Sequence, residues 1–166
     1  MATISNLKRI SYCVLGVLIL SCTSNSTFNE YQSIENQTWF SNIEKEFIVN
    51  SSDTISQNNV FINIRNNKDY PFSSLFLIST VKFPSGLQVV DTLEYEMTDA
   101  KGNWLGSGFS DVKENKLYYK EAVVFSESGT YNFTIKHATR GIEDVEGTVP
   151  LFGITDVGLS VEKIKE

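Results

Sequence analysis

Apolar residues recur at every second position along much of this chain from Phe47 onward, and this period constrains the fold more than any other feature. Val60, Ile62 and Ile64 share one face of their segment, whereas Asn63 lies on the other. A period of two is that of a β-strand with one buried face, whereas an amphipathic helix would repeat every 3.6 residues. The pattern therefore predicts that most of the chain is strand.

Turn-forming residues separate the alternating segments at short intervals. Pro84-Ser85-Gly86 reads as a turn, and the segment 99–103 places Gly102 where a tight hairpin needs positive φ. A second hairpin is predicted around 126–129, between the strands on either side. The alternating segments are 60–65, 75–83, 89–99, 118–125, 131–137 and 157–161. Roughly eight short strands predict an all-β fold, a single antiparallel β-sandwich that is Ig-like or jelly-roll-like.

The N-terminal residues have the pattern of a bacterial lipoprotein signal peptide. Basic Lys8 and Arg9 precede the apolar run Val14 to Leu20, and small Ser21 stands directly before Cys22. A run this short falls far below the ~20 residues that a membrane-spanning helix needs. We therefore predict a signal peptide over 1–21, fatty acyl groups such as palmitate on Cys22, a flexible tether over 22–37 and a domain over 38–166. Secretion without a lipid is the alternative.

Charge and cysteine content exclude several classes of function once the signal peptide is removed. Loss of Lys8 and Arg9 leaves 12 basic residues against 20 acidic ones, a net charge of −8. Nucleic acid and anionic lipid surfaces are therefore unexpected partners. Cys13 leaves with the signal peptide and Cys22 carries lipid, so no disulfide, thiol nucleophile or cysteine metal site is expected.

The polar residues do not predict an active site. His137, the only histidine, continues the phase of its strand, so a structural role is favoured over catalysis. Acidic residues such as Asp91 and Asp99 fall on strand faces and in turns, although paired carboxylates for glycoside cleavage stay open as an alternative. Asp99 with Asn103, or the acidic run 143–146, lacks the spacing of a known metal loop. We expect no enzyme, no cofactor, no metal and no small-molecule substrate.

Aromatic residues leave glycan binding open as a second class of function. Stacking on sugars would require exposed rings, whereas Trp39 and Trp104 sit beside apolar neighbours and are predicted to pack in the core. Phe109, Tyr118 and Tyr119 are the other aromatic candidates. The alternative function is therefore a lipid-anchored glycan-binding module, for which Trp104 would have to lie on the surface.

A series of short motifs follows in a fixed order along the chain. These are Ile64-Arg65-Asn66, Tyr70-Pro71-Phe72 with Leu75, Asp91-Thr92-Leu93, Asp99-Ala100-Lys101-Gly102-Asn103-Trp104-Leu105-Gly106, Phe125 with Gly129-Thr130-Tyr131, and Gly153-Ile154-Thr155-Asp156-Val157-Gly158-Leu159. In this order, and with the lipoprotein signal, the chain resembles the GldH gliding-motility lipoprotein family of Bacteroidetes. Ser73-Ser74 and Ala138-Thr139-Arg140 depart from the pattern of that family.

The resemblance implies a non-catalytic lipoprotein of the outer membrane, facing the periplasm. It would support gliding motility and the associated type IX secretion machinery through contacts with other envelope proteins. Arg65, Tyr70, Trp104 and Arg140 are the positions that we would test as a partner-facing set. Arginine can bind carboxylates in a bidentate manner, and Pro71 holds the preceding Tyr70 in an extended conformation. In the alternative, the arginines pair within the chain, with Asp69, Asp99 or Asp156.

Overall fold

A computed structural model of the chain describes residues 26–108, 110–139 and 149–165. These residues contain ten β-strands and one 3₁₀ turn, Glu35–Gln37, but no α-helix. The strands are β1 (Ser26–Ser33), β2 (Thr38–Phe40), β3 (Lys45–Ser51), β4 (Gln57–Asn66), β5 (Ser74–Lys82), β6 (Gln88–Glu96), β7 (Lys113–Val124), β8 (Gly129–His137), β9 (Pro150–Phe152) and β10 (Ile154–Lys163).

Eight of the strands form two four-stranded sheets, ordered β1-β10-β4-β7 and β3-β8-β5-β6, while β2 and β9 pair with each other. All of these pairings are antiparallel. Without the short β2–β9 pair, this strand order is that of a jelly roll, in which two sheets pack face to face. The prediction of an all-β antiparallel sandwich is confirmed, and the strand order matches the jelly-roll form.

The inner faces of the two sheets bury the apolar residues of the alternating segments. Val60, Ile62 and Ile64 of β4 are at most 1% exposed, and Phe133 and Ile135 of β8 face them with at most 3% exposure. Each side chain of this size contributes about 1.5–3 kcal/mol when it is removed from water. The two-residue period therefore identified the core strands correctly.

The outer face of β4 is more buried than its polar sequence predicts. Phe61 is 4% exposed because the Tyr118 ring lies 4.5 Å from its own and the Lys116 ammonium lies 4.1 Å from its centroid. Asn63 is 2% exposed, and its Nδ2 donates a hydrogen bond of 3.0 Å to Ser160 Oγ. Side chains of neighbouring strands thus cover the centre of this outer face.

The flexible tether predicted for residues 22–37 is wrong from residue 26 onward. Residues 26–33 form β1, which pairs with β10 along its length, with Glu30 opposite Leu159 and Tyr31 opposite Gly158. Polar side chains dominate this strand, so it lacks the apolar alternation that marks the others. As an edge strand it is held mainly by its backbone ladder, and the folded domain begins at β1 and not at residue 38.

The two predicted hairpins have different outcomes. The tight turn at 99–103 exists, since the Asp99 amide donates to the Asn103 carbonyl at 2.8 Å, but only the isolated Thr98–Trp104 bridge extends it. The turn at 126–129 does not close a hairpin, because β7 belongs to one sheet and β8 to the other. Turn chemistry predicts a chain reversal, but it does not reveal whether the chain returns to the same sheet.

The long strands run between two opposite ends of the sandwich. The register places Ser26 beside Glu162 at one end and Ser33 beside Asp156 at the other. At about 3.3 Å per residue, β1 separates these ends by roughly 23 Å. We call them the Ser26 end, with the loops 52–56, 83–87 and 125–128, and the Arg65 end, with the loops 34–37, 41–44, 67–73 and 97–112.

Side chains close the two seams at which the edges of the sheets meet. Between β1 and β3, Gln32 Nε2 donates to the Glu46 carbonyl at 2.6 Å. Between β6 and β7, the Tyr95 hydroxyl donates to the Tyr118 carbonyl at 2.8 Å. These bonds occupy backbone acceptors of edge strands, which would otherwise be available to another chain.

Candidate functional site

A row of polar residues crosses the outer face of the first sheet at its Arg65 end. In the strand register, Asp156 lies opposite both Ser33 and Arg65, and Arg65 lies opposite Glu114. Four strands therefore bring together residues that are far apart in the sequence. We call Ser33, Asp156, Arg65 and Glu114 the Arg65 row.

Arg65 is held by two neighbours on this face. Its Nε lies 2.9 Å from Glu114 Oε2, and its guanidinium carbon lies 4.1 Å from the centroid of the Tyr31 ring. The Tyr31 hydroxyl donates to Glu114 Oε1 at 3.0 Å. Hydrogen bonding to Glu114 raises the pKa of Arg65, while burial followed by the bond to Glu114 raises the pKa of Tyr31 to about 12. The Arg65 side chain is oriented by these contacts and still 37% exposed.

A cleft of about 560 Å³, lined mainly by residues with polar side chains, opens beside the Arg65 row. Loop 97–112 forms one wall, where the backbone of Ser107 exchanges two hydrogen bonds with that of Glu114, at 2.9 and 2.8 Å. On the other side, Asp156 accepts hydrogen bonds from Ser33 Oγ at 2.9 Å and Thr155 Oγ1 at 2.8 Å. The cleft offers both signs of charge and several hydroxyl groups, which suit the polar surface of another protein better than an apolar ligand.

The structure decides how Arg65 pairs within the chain. An internal ion pair exists, but its carboxylate is Glu114 and not Asp69, Asp99 or Asp156. Asp99 instead accepts hydrogen bonds from the Lys101 and Asn103 amides in its own turn, at 2.8 and 2.9 Å. Pairing with Glu114 leaves the guanidinium partly exposed, so it does not remove Arg65 from the predicted partner-facing set.

Tyr70 belongs to the core and not to the surface. It is 3% exposed, its hydroxyl donates to the Ser74 carbonyl at 2.8 Å, and burial raises the pKa of that hydroxyl. The backbone of Gly153 packs so closely against Tyr70 that a Cβ at Gly153 would lie 2.2 Å from the Tyr70 nitrogen. A direct partner contact by the Tyr70 side chain is therefore excluded in this conformation, and its role is to support the Arg65 end.

Trp104 lies at the same end as Arg65, and its side chain is partly buried. Its ring centroid is 6.1 Å from that of Tyr70, and the side chain packs against the core. The glycan-binding alternative required Trp104 to be exposed, and this packing weakens it. Trp39 is fully buried, as predicted. Arg140 and Phe109 lie outside the described residues.

An apolar patch on the β2–β9 pair adds to the Arg65 end. The inner face of this pair buries Trp39 and Leu151, whereas Phe40 and Phe152 are 42% and 53% exposed. Together with Ile43, which is 45% exposed, these two phenylalanines line a cleft of about 630 Å³. We call Phe40, Ile43 and Phe152 the β2–β9 patch. Clustered exposed apolar residues of this kind are typical of protein-binding surfaces.

His137 has the structural role that its strand position predicts. It is 1% exposed, its Nε2 lies 2.9 Å from the Trp39 carbonyl oxygen, and the two rings are 5.3 Å apart. Burial lowers the pKa of His137, in spite of its hydrogen bonds to backbone groups.

Within residues 26–108, 110–139 and 149–165, no three side chains of His, Cys, Asp or Glu are grouped to hold a metal ion.

Family comparison identifies the class of protein to which this fold and surface belong. The model of the GldH lipoprotein family matches residues 26–161. The chain belongs to the GldH lipoprotein family. The GldH homolog of Christiangramia forsetii, named as a gliding motility lipoprotein, is 48% identical over 147 residues, which cover 89% of this chain and 90% of the relative. The gliding motility lipoprotein GldH of Flavobacterium johnsoniae is 42% identical over 148 residues, which cover 89% and 91%.

Membership of the GldH family confirms the resemblance of the motif series and implies a lipoprotein of the cell envelope. Among the described residues of this GldH family member, no helix is long and apolar enough to cross a membrane. A solved structure of the infectious bursal disease virus VP2 subviral particle matches 82% of this chain and 34% of the viral chain, at 11% identity and a TM-score of 0.36. At that TM-score, nothing is inferred from the viral protein.

Sequence reasoning missed several residues of the Arg65 end in this GldH family member. Tyr31 and Glu114 hold Arg65, but they lie 34 and 49 positions from it and carry no motif of their own. Phe40 and Phe152 of the β2–β9 patch are likewise separated by more than a hundred residues. Only the strand register brings each set together, and the register cannot be read from the sequence.

Proposed function

We propose that this GldH family member is a non-catalytic envelope lipoprotein that supports gliding motility through protein–protein contacts. The observation that carries the proposal is its match to gliding motility lipoproteins over almost the whole length of both chains. The surface at the Arg65 end supports the contact role, since it combines a partly exposed ion pair with an exposed apolar patch. The partners would be envelope proteins of the gliding apparatus and its type IX secretion machinery.

Chain geometry supports a role for the Arg65 end in these contacts. Four residue steps separate Cys22 from Ser26, so the Cα of Cys22, whose side chain would carry the lipid, lies at most about 14 Å from the start of β1. The Arg65 end lies roughly 23 Å further along the strands. A lipid-anchored domain would therefore hold the Arg65 row and the β2–β9 patch on the side away from its membrane, which we propose is the periplasmic face of the outer membrane.

Complementation of a deletion strain tests the role in motility. We expect deletion of the gene to abolish colony spreading and secretion through the type IX pathway, and the wild-type gene to restore both. Cys22→Ala should restore neither, because the protein would lose its lipid. Full spreading of the deletion strain would contradict the role in gliding, and full function of Cys22→Ala would contradict the need for the anchor.

Arg65→Ala tests the contact surface, with Lys116→Ala as its matched control. Both cations lie on the outer face of the same sheet and form half-exposed ion pairs, with Glu114 and Glu162 respectively. Such pairs contribute about 0–1 kcal/mol to stability, so both variants should fold. We expect reduced spreading for Arg65→Ala only, and reduced recovery of envelope proteins after crosslinking in intact cells. Equal behaviour of the two variants would argue against the Arg65 row.

A further inference from the structure

The Ser26 end exposes large apolar side chains that the contact function does not use. Ile55 in loop 52–56 is 85% exposed, the highest value among the large apolar residues that the structure describes. Leu87 in loop 83–87 is 59% exposed, and Val124 at the end of β7 is 41% exposed. All three lie at the end from which β1 starts.

Hydrogen bonds fix the loops that carry these side chains. Asp53 Oδ1 accepts from the Ile55 and Ser56 amides at 3.1 and 3.0 Å, and its Oδ2 lies 2.9 Å from Lys163 Nζ. In loop 83–87, the amide and hydroxyl of Ser85 donate to the Glu127 carboxylate, at 2.8 and 2.9 Å. The loops therefore present Ile55 and Leu87 in a defined place instead of burying them against the domain.

The same end of the domain faces the lipid anchor. Thr27 of β1 lines a cleft of about 210 Å³ together with Asp53 and Lys163, so the start of β1 lies beside loop 52–56. The four steps from Cys22 to Ser26 reach at most about 14 Å. Another protein domain of ordinary size, with a radius of gyration of about 13 Å and so a diameter of roughly 34 Å, does not fit in that interval. With a lipid on Cys22, the bilayer would be the surface nearest to these loops.

We propose that the Ser26 end docks on the bilayer that holds the Cys22 lipid, with the side chains of Ile55 and Leu87 inserted at its interface. The proposal rests on the lipid anchor of the proposed function. Apolar side chains on the tips of fixed loops gain free energy when they leave water, without a requirement for positive charge. This contact accommodates the net negative charge of the domain, and it sets one orientation of the domain on the membrane.

Site-specific labels on the lipidated protein test the docking. The chain has cysteines only at positions 13 and 22, so Ile55→Cys and Leu87→Cys introduce single thiols into the mature protein. The variants are purified from membranes in lipidated form, labelled with an environment-sensitive fluorophore and reconstituted into vesicles of phosphatidylethanolamine and phosphatidylcholine, lipids that carry no net charge. The control is Leu105→Cys, which lies in a loop of the Arg65 end and is 56% exposed, close to the 59% of Leu87.

We expect emission from positions 55 and 87 to shift to shorter wavelength in vesicles and to be quenched by spin-labelled lipids, whereas position 105 stays in water. Equal emission from all three positions, in water or in lipid, would overturn the docking. Mass analysis of the N-terminal peptide separates the two proposals. Water-like emission with the fatty acids present contradicts the docking alone, while absence of fatty acids on Cys22 contradicts the anchor and the docking together.

Discussion

The backbone of Gly153 packs closely against that of Tyr70 at the Arg65 end. Substitution of Gly153 should therefore lower the stability of the fold. Its φ is +81°, and a Cβ would lie 2.2 Å from the Tyr70 nitrogen and 2.7 Å from the Asp69 carbonyl carbon. Gly102 is a matched control, because its φ is +82° but a Cβ there meets nothing within 4 Å. We expect Gly102→Ala to lower the free energy of unfolding by about 1–2 kcal/mol, the cost of positive φ alone. Gly153→Ala should cost more than ~3 kcal/mol in urea denaturation.

An equal loss in the two glycine variants would show that the Tyr70 loop moves away easily. In that case, Tyr70 would not support the Arg65 end in the way that its burial suggests.

His137 should make stability depend on pH as the pH falls through about 6.5, the ordinary pKa of histidine. Burial lowers its pKa below the ordinary 6.5, so the folded protein takes up the proton at a lower pH than the unfolded chain does. The unfolded state therefore binds more protons as the pH falls through 6.5, and the free energy of unfolding decreases. His137→Gln keeps a donor near the Trp39 carbonyl but cannot titrate, so we expect lower stability overall and a flatter pH profile. Urea denaturation at several pH values measures both, and an unchanged slope would contradict this role.

At the scale of residues, the sequence predicts burial better than it predicts contacts. The apolar phase of β4 identified Val60, Ile62 and Ile64 as core, and the strand position of His137 predicted its structural role. Tyr70 was assigned to the surface because its proline neighbour indicates an extended loop, which says nothing about the direction of the side chain. The partner of Arg65 depends on the register of β4 against β7, and no local pattern encodes that register.

The first strand offers a direct test at the scale of elements. If residues 26–33 were a tether, a chain that begins at Ile34 would be as stable as one that begins at Ser26. Because β1 pairs with β10 and packs Phe28 against the core, we expect the shorter chain to lose most of the free energy of unfolding, which is about 5–15 kcal/mol for a domain. Urea denaturation of the two chains, followed by the fluorescence of Trp39 and Trp104, makes the comparison. Equal midpoints would restore the tether interpretation.

Strands differ in how well the sequence reveals them, and their place in the sheets explains the difference. β4, β5 and β10 lie inside a sheet and show strong apolar patterns. β1 is an edge strand whose stability comes from one backbone ladder, so polar residues suffice and the sequence resembles a linker. The connection from β7 to β8 has the glycine of a hairpin, yet it crosses the sandwich, because the sheet to which a strand returns is decided by the packing of the whole domain.

The length of the segment between Cys22 and β1 should matter at the scale of the whole molecule. Insertion of ten Ser and Gly residues after Ser24 would leave every described contact intact, so stability should not change. The domain would no longer be held at a fixed height and orientation, and we expect reduced colony spreading at normal protein levels. An insertion of the same ten residues after Lys165 is the control, since it adds chain without changing the anchor. Equal spreading of both strains would show that the anchor only retains the protein.

The pairing of β1 with β10 would have a mechanical consequence in the motility role that we propose. Force between the lipid and a partner at the Arg65 end would pull β1 along its own axis, against β10. The rungs of that ladder would then be strained simultaneously in shear, whereas a strand pulled sideways from its end would lose them one after another. The first strand is thus placed to transmit tension to the sandwich without peeling away.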